Sequence, residues 1–126
     1  ENRTCGSRVI LGPGQSAARI ELRQTAADIN PYLAMAACLG SGLYGIEHEI
    51  TPPPESTGDA TAASDRSLAL PLTLESAVDA LRRSEAARSV LGEPFIDHYV
   101  RTRDWECREY NRSVSEWELR RYFEAV

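Results

Sequence analysis

Lysine is absent from this chain: all 14 of its basic residues are arginine. That removes the amine needed for a Schiff base and the cation of a phosphate-binding P-loop. Cysteine is scarce, and the three present (Cys5, Cys38 and Cys107) are an odd number at wide spacing. The spacing fits no zinc pattern and does not read as a disulfide framework. Reduced thiols in a cytosolic protein are expected, with Cys38 a small core residue. Positive charge is outnumbered too. The 19 acidic residues leave a formal net charge of −5, so neither nucleic acid nor an anionic membrane is expected as a partner. No signal peptide is evident, and the one long apolar segment is interrupted by glycines and polar residues. The chain does not begin with methionine and opens inside a strand-like stretch, so a piece of a longer protein is expected.

What is present suits one domain with an ordinary core: 126 residues, 42% hydrophobic and 26% charged. The informative stretch is Arg19-Ile20-Glu21-Leu22-Arg23. In an extended strand, alternation sends Arg19, Glu21 and Arg23 to one side and Ile20 and Leu22 to the other. The carboxylate is then flanked by two guanidiniums, each about 6–7 Å along the strand. Taken alone this reads as a solvated strand face over a buried one. Its context argues otherwise. Arg3 and Arg8 lie in a preceding strand-like segment, separated from it by the Gly/Pro turn Leu11-Gly12-Pro13-Gly14. A hairpin would bring four arginines and one carboxylate to a single cavity, a setting that suits phosphate or carboxylate ligands. Glu21 among them is either a salt-bridge partner or a hard-oxygen ligand for Mg²⁺ or Mn²⁺.

Taken in order, strands are expected over Thr4–Leu11 and Ala17–Gln24, so that residues 1–24 form the hairpin. Asn30 is a natural N-cap and Pro31 suits a first helical turn, which predicts a helix within residues 30–48, from Pro31 to about Glu47. Its Tyr32, Leu33, Met35, Leu39, Leu43 and Ile46, with many small residues between, predict a buried central helix, with His48 capping its end. Three prolines, Pro52 to Pro54, and the small polar residues after them mark 50–71 as an exposed loop or flap. Residues 73–126 read as a helical C-terminal part. Thr73 caps one helix and Ser84 starts another that ends at Gly92. Pro94 opens a long one, and Ser115-Glu116-Trp117-Glu118 is a capping box. Trp105 and Trp117 are expected as packing anchors, and His98 as structural. The fold class is α+β, an N-terminal antiparallel β-hairpin followed by four or five packed helices.

Three blocks in this order and spacing carry a resemblance: Asn2-Arg3-Thr4-Cys5-Gly6-Ser7-Arg8, Arg19-Ile20-Glu21-Leu22-Arg23 and Asn30-Pro31-Tyr32-Leu33-Ala34. Together they resemble the C-terminal part of the glutamine synthetase catalytic domain. The likeness runs on through Gly42-Leu43-Tyr44-Gly45-Ile46 to the last helix. The ending, Val114-Ser115-Glu116-Trp117-Glu118 with Arg121-Tyr122, looks like the bacterial branch that includes γ-glutamyl-polyamine and other γ-glutamyl-amine ligases.

The resemblance implies that the hairpin is a piece of the family's catalytic sheet. It also implies an ATP-dependent ligase that makes an amide from glutamate and ammonia, or an amine, through γ-glutamyl phosphate, with Mg²⁺ or Mn²⁺ as cofactor. Both steps gather negative charge at one point, where arginines and divalent ions stabilise it. By the same resemblance Arg3 is the catalytic arginine that touches both the transferred phosphoryl and glutamate. Arg8 and Arg19 face the ATP phosphates, Arg23 holds glutamate, and Glu21 binds one metal ion. Ser16 stands about where assimilatory bacterial enzymes carry a lysine directed at the nucleotide. No tyrosine lies between Ile50 and Pro71, so control by tyrosine modification is not expected. The family's other metal ligands, its ammonium site and its small N-terminal domain are not among these residues. The segment alone is therefore expected to be inactive. Relatives assemble as homo-oligomeric stacked rings, which implies that former interface, including the Met/Leu-bearing helix, is only partly covered in isolation. A non-catalytic structural relative is the remaining reading, and the retained arginines and Glu21 argue against it.

Overall fold

The computed structural model describes residues 2–14, 17–62 and 66–125. The chain divides into two units, Glu1–Ala69 and Leu70–Val126. In the first, β1 (Ser7–Ile10) and β2 (Arg19–Leu22) form an antiparallel hairpin. Both strands are shorter than the alternation predicts. The backbone of Arg23 still donates to the Gly6 carbonyl at 2.8 Å, which extends the pairing past the strand ends. A Cβ on Gly12 would collide with Ala17, so the chain turns there without a side chain. Helix α1 spans Pro31–Glu47 as expected. The Asn30 side chain accepts from the backbone N–H of Tyr32 at 3.0 Å and of Leu33 at 3.3 Å, and a proline follows in the first turn. His48 is the C-cap, and its ring stacks on Tyr44 at 3.9 Å.

The burial expected for α1 is not found. The helix buries no residue, and Tyr32, Met35, Leu39, Leu43 and Ile46 all face solvent along one stripe. Cys38 is exposed as well. An apolar stripe shows which side of a helix can be covered, but coverage needs a partner surface. After α1, residues 50–59 run exposed and lead into a short 3-10 turn, Ala60–Ala62, whose Ala60 is half-buried. Gly58 adopts φ 77° just before that turn. The carboxylate of Asp59 accepts from the backbone N–H of Thr61 at 2.9 Å and from its hydroxyl at 2.7 Å. Those bonds, the hydroxyl's first, hold the Asp59 carboxyl below its ordinary value.

The second unit is helical: α2 (Leu74–Arg83), α3 (Glu85–Leu91), α4 (Glu93–Arg112) and α5 (Glu116–Tyr122). Thr73, Ser84 and Ser115 cap their helices with side-chain oxygens. Gly92, at φ 84°, ends α3 and precedes α4, a conformation glycine adopts without the Cβ clash other residues meet. Val78, Ile96 and Val100 form the core, with Leu81, Ala87, Leu91 and Phe95 packed against it. Arg82 grips both oxygens of Asp104 at 2.8 Å and pairs with Asp79, tying α2 to α4. Arg88 donates twice to the Arg82 carbonyl and pairs with Glu93 and Asp97, which joins α3 to the start of α4.

Three expectations for this unit are corrected. Trp105 and Trp117 are 56% and 62% exposed, so neither anchors the core, although Trp117 meets Tyr122 edge-on at 5.9 Å. His98 is on the exposed side of α4. The reason is helical period: three and four residue steps from Ile96 and Val100 lead to half-buried Arg103 and Cys107 rather than to Trp105 and Tyr110.

The capping box of α5 makes that helix acid-sensitive. The Ser115 backbone N–H and hydroxyl both donate to Glu118 at 2.8 Å, and they hold its carboxyl below its ordinary 4.5. A depressed folded-state value means the stabilising contribution is complete above 4.5 and is lost as pH falls through the lowered value. Amide shifts of residues 116–122 are expected to move toward coil on that acid limb. In Glu118→Ala they should sit nearer coil at every pH, with no such limb.

Candidate active site

The hairpin register decides which side chains meet. Arg8 stands directly opposite Glu21, and Ile10 opposite Arg19, so these four share one face. The two-residue period of β2 adds Arg23 to the same side. Glu21 Oε2 lies 3.3 Å from Arg23 Nη2 and 3.5 Å from Arg8 Nη1, and Oε1 lies 3.8 Å from Arg19 Nη2. The structure thus gathers three of the four candidate arginines around the carboxylate. Arg3 is not among them. It sits exposed in the turn before β1, with no hydrogen bond or ion pair to a described residue. Ser16 lies outside the described residues.

The cluster occupies an open face rather than an enclosed cavity, with Glu21 35% exposed and Arg19 60%. Ion pairs this exposed contribute only about 0–1 kcal/mol each, so stability is a weak reason for gathering them. Charge is the better one. Guanidiniums gathered on one face attract anions, whose oxygens can accept from their N–H groups. The opposite face carries Val9, Ile20 and Leu22, all exposed here.

Arg23 is held at two points. Its Nη1 donates to the Asn2 carbonyl at 2.9 Å while Nη2 donates to Glu21 at 3.3 Å. Asn2 in turn donates from its side chain to the Gly58 carbonyl at 2.6 Å, and Thr4 Oγ1 accepts from the Ala60 N–H at 2.8 Å. These links cross 56 residues of chain and have no signature in the local sequence. Among the described residues no three His, Cys, Asp or Glu side chains come together as ligands. A divalent ion takes several oxygen donors, of which Glu21 can offer one carboxylate. No helix is long and apolar enough to cross a membrane, among the described residues.

The family model for the glutamine synthetase catalytic domain matches residues 1–122. The chain belongs to that family. Among its relatives, a glutamate–isopropylamine ligase from a Pseudomonas species is 44% identical over the whole chain, which covers 28% of the relative. The type-1 glutamine synthetase 2 of Dictyostelium discoideum is 38% identical, again over the whole chain and 24% of the relative. The γ-glutamylethanolamide synthetase GlnA4 of Streptomyces coelicolor is 37% identical over the whole chain and 26% of its own length. The chain thus spans about a quarter of these relatives.

Proposed function

We propose that these residues form part of the active site of an ATP-dependent ligase that joins the side-chain carboxylate of glutamate to ammonia or an amine. The observation that carries the reading is the gathering of Arg8, Arg19 and Arg23 on Glu21 along one strand face. In this reading Arg8 and Arg19 receive the nucleotide phosphates, and Arg23 receives a carboxylate of glutamate. Arg3, from the preceding turn, reaches the transferred phosphoryl group. Glu21 keeps the guanidiniums apart and in register, and contributes one ligand toward Mg²⁺ or Mn²⁺. Such an ion supplies charge neutralisation on the phosphates. Here the remaining ligands come from residues other than those described, and the chain by itself is inactive. A cytoplasmic setting and a ring-forming homo-oligomer belong to the same reading, supported by the family and by three free thiols.

A second reading, an alkylamine in place of ammonia, is favoured by the 44% identity to the isopropylamine ligase. The test takes the full-length protein with ATP, Mn²⁺ and glutamate. Ammonia, isopropylamine, ethanolamine or putrescine is supplied in turn, and products are identified by mass spectrometry. One amide accompanied by stoichiometric ADP is expected, and its identity chooses between the readings. ADP with Mn²⁺ should also raise the melting temperature. Absence of both amide and thermal shift would remove the ligase reading.

A further inference from the structure

The turn at residues 58–60 follows α1, far along the chain from the hairpin, yet it is bonded to the segment that holds Arg23. We propose that Asn2 and Thr4 are positioning residues for Arg23, and that they fix its guanidinium by fastening residues 2–6 to the 58–60 turn. The inference rests on the reading of Arg23 as the arginine that receives glutamate.

The links form one path. Asn2 Nδ2 donates to the Gly58 carbonyl at 2.6 Å. Asn2 Oδ1 accepts from the Thr4 backbone N–H at 3.0 Å and from the Thr4 hydroxyl at 2.5 Å. With its proton given to Asn2, Thr4 Oγ1 is left to accept from the Ala60 N–H, which it does at 2.8 Å. A hydroxyl whose only proton is donated and which also accepts a bond has its orientation set. The carbonyl of Asn2 then accepts from Arg23 Nη1 at 2.9 Å, and the backbone of Arg23 bonds Gly6 at 2.8 Å. Arg23 is therefore braced from two sides, by Asn2 through Nη1 and by Glu21 through Nη2. Its other N–H groups keep one direction, and a ligand meeting them loses less freedom on binding than it would with a free arginine. The turn side of the link is shaped in advance. Gly58 has φ 77°, and Asp59 closes the turn by accepting twice from Thr61. None of the bracing groups has to touch a reactant.

In the full-length protein, Thr4→Val removes the hydroxyl at almost constant volume, and Ala60→Pro removes the donor on the other side of the same bond. Each is expected to raise the KM for glutamate about tenfold, the scale of a misdirected contact. The expected kcat stays within about twofold and the KM for ATP is unchanged, as for a group that acts through substrate orientation. Thr4→Ser keeps the hydroxyl and should restore the parent KM. Adding Thr4→Val to Arg23→Ala should raise the KM no further, because the brace acts only through that guanidinium. A glutamate KM that does not move in Ala60→Pro, or a fall in kcat with KM unmoved, overturns the inference. An Arg23→Ala variant with unchanged glutamate KM instead overturns the reading of Arg23, and the two failures are thereby distinguished.

Discussion

Glu21→Gln is expected to lower kcat/KM of the proposed full-length ligase by about a hundredfold or more, the cost of small misplacements in a site that works by positioning. The substitution preserves shape and removes one negative charge from among three positive ones. The guanidiniums then repel one another more strongly and lose the charged acceptor they share, while Arg23 keeps its bond to the Asn2 carbonyl. The fold should hardly notice, because pairs this exposed carry about 0–1 kcal/mol each. A large kinetic loss beside a small stability change is the signature sought. Steady-state rates and thermal unfolding measured on one preparation supply both numbers. Glu21→Asp keeps the charge on a shorter stem and should recover only part of the loss, since it cannot reach all three partners equally. Parent-like activity in Glu21→Gln would mean that the guanidiniums are held by something other than this carboxylate.

The second large effect concerns stability. Ile96 is fully buried at the centre of a core that includes only Val78 and Val100 as other buried hydrophobics among the described residues. Truncation to alanine loses transfer free energy and leaves a void, together about 2–5 kcal/mol. A unit of this size has only several kcal/mol of stability in all, at roughly 0.05–0.15 kcal/mol per residue. Ile96→Ala should therefore leave a substantial fraction of Leu70–Val126 unfolded at ordinary temperature. Ile96→Val should cost about 0.5–1.5 kcal/mol and stay folded. Both tryptophans, Trp105 and Trp117, lie in this unit, so the fluorescence midpoint in urea reports on it specifically. A shift in Ile96→Ala no larger than that of Ile96→Val would place the core elsewhere. Arg82 and Arg88 do not compensate. Their ion pairs, which raise the pKa of each guanidinium through hydrogen bonds first of all to Asp104 and Asp97 respectively, are largely at the surface.

Helix starts and stops were readable because capping is local. Asn30, Thr73, Ser84, Ser115 and Gly92 each act within a few residues of where they stand, and all five perform as their positions suggest. The strand alternation that puts Arg19, Glu21 and Arg23 on one side is local in the same sense. So is membership of the family, since the blocks that carry it are contiguous stretches in a given order. Burial was less readable. Met35 and Leu39 in α1, and Trp105 in α4, are as apolar as core residues, yet they remain exposed because a partner surface, or the right helical phase, is missing.

By itself, the order of residues determined the family through its contiguous blocks, and the elements and their helix caps through short-range sterics and hydrogen bonding, though not where the two strands end. Tertiary structure alone decided that Arg8 faces Glu21, that Arg3 stands apart from it, and that Asn2 and Thr4 reach the 58–60 turn. Those outcomes depend on register and on contacts between residues distant along the chain. No local propensity encodes them, because the free energy of such contacts exists only once the backbone has brought the groups within reach.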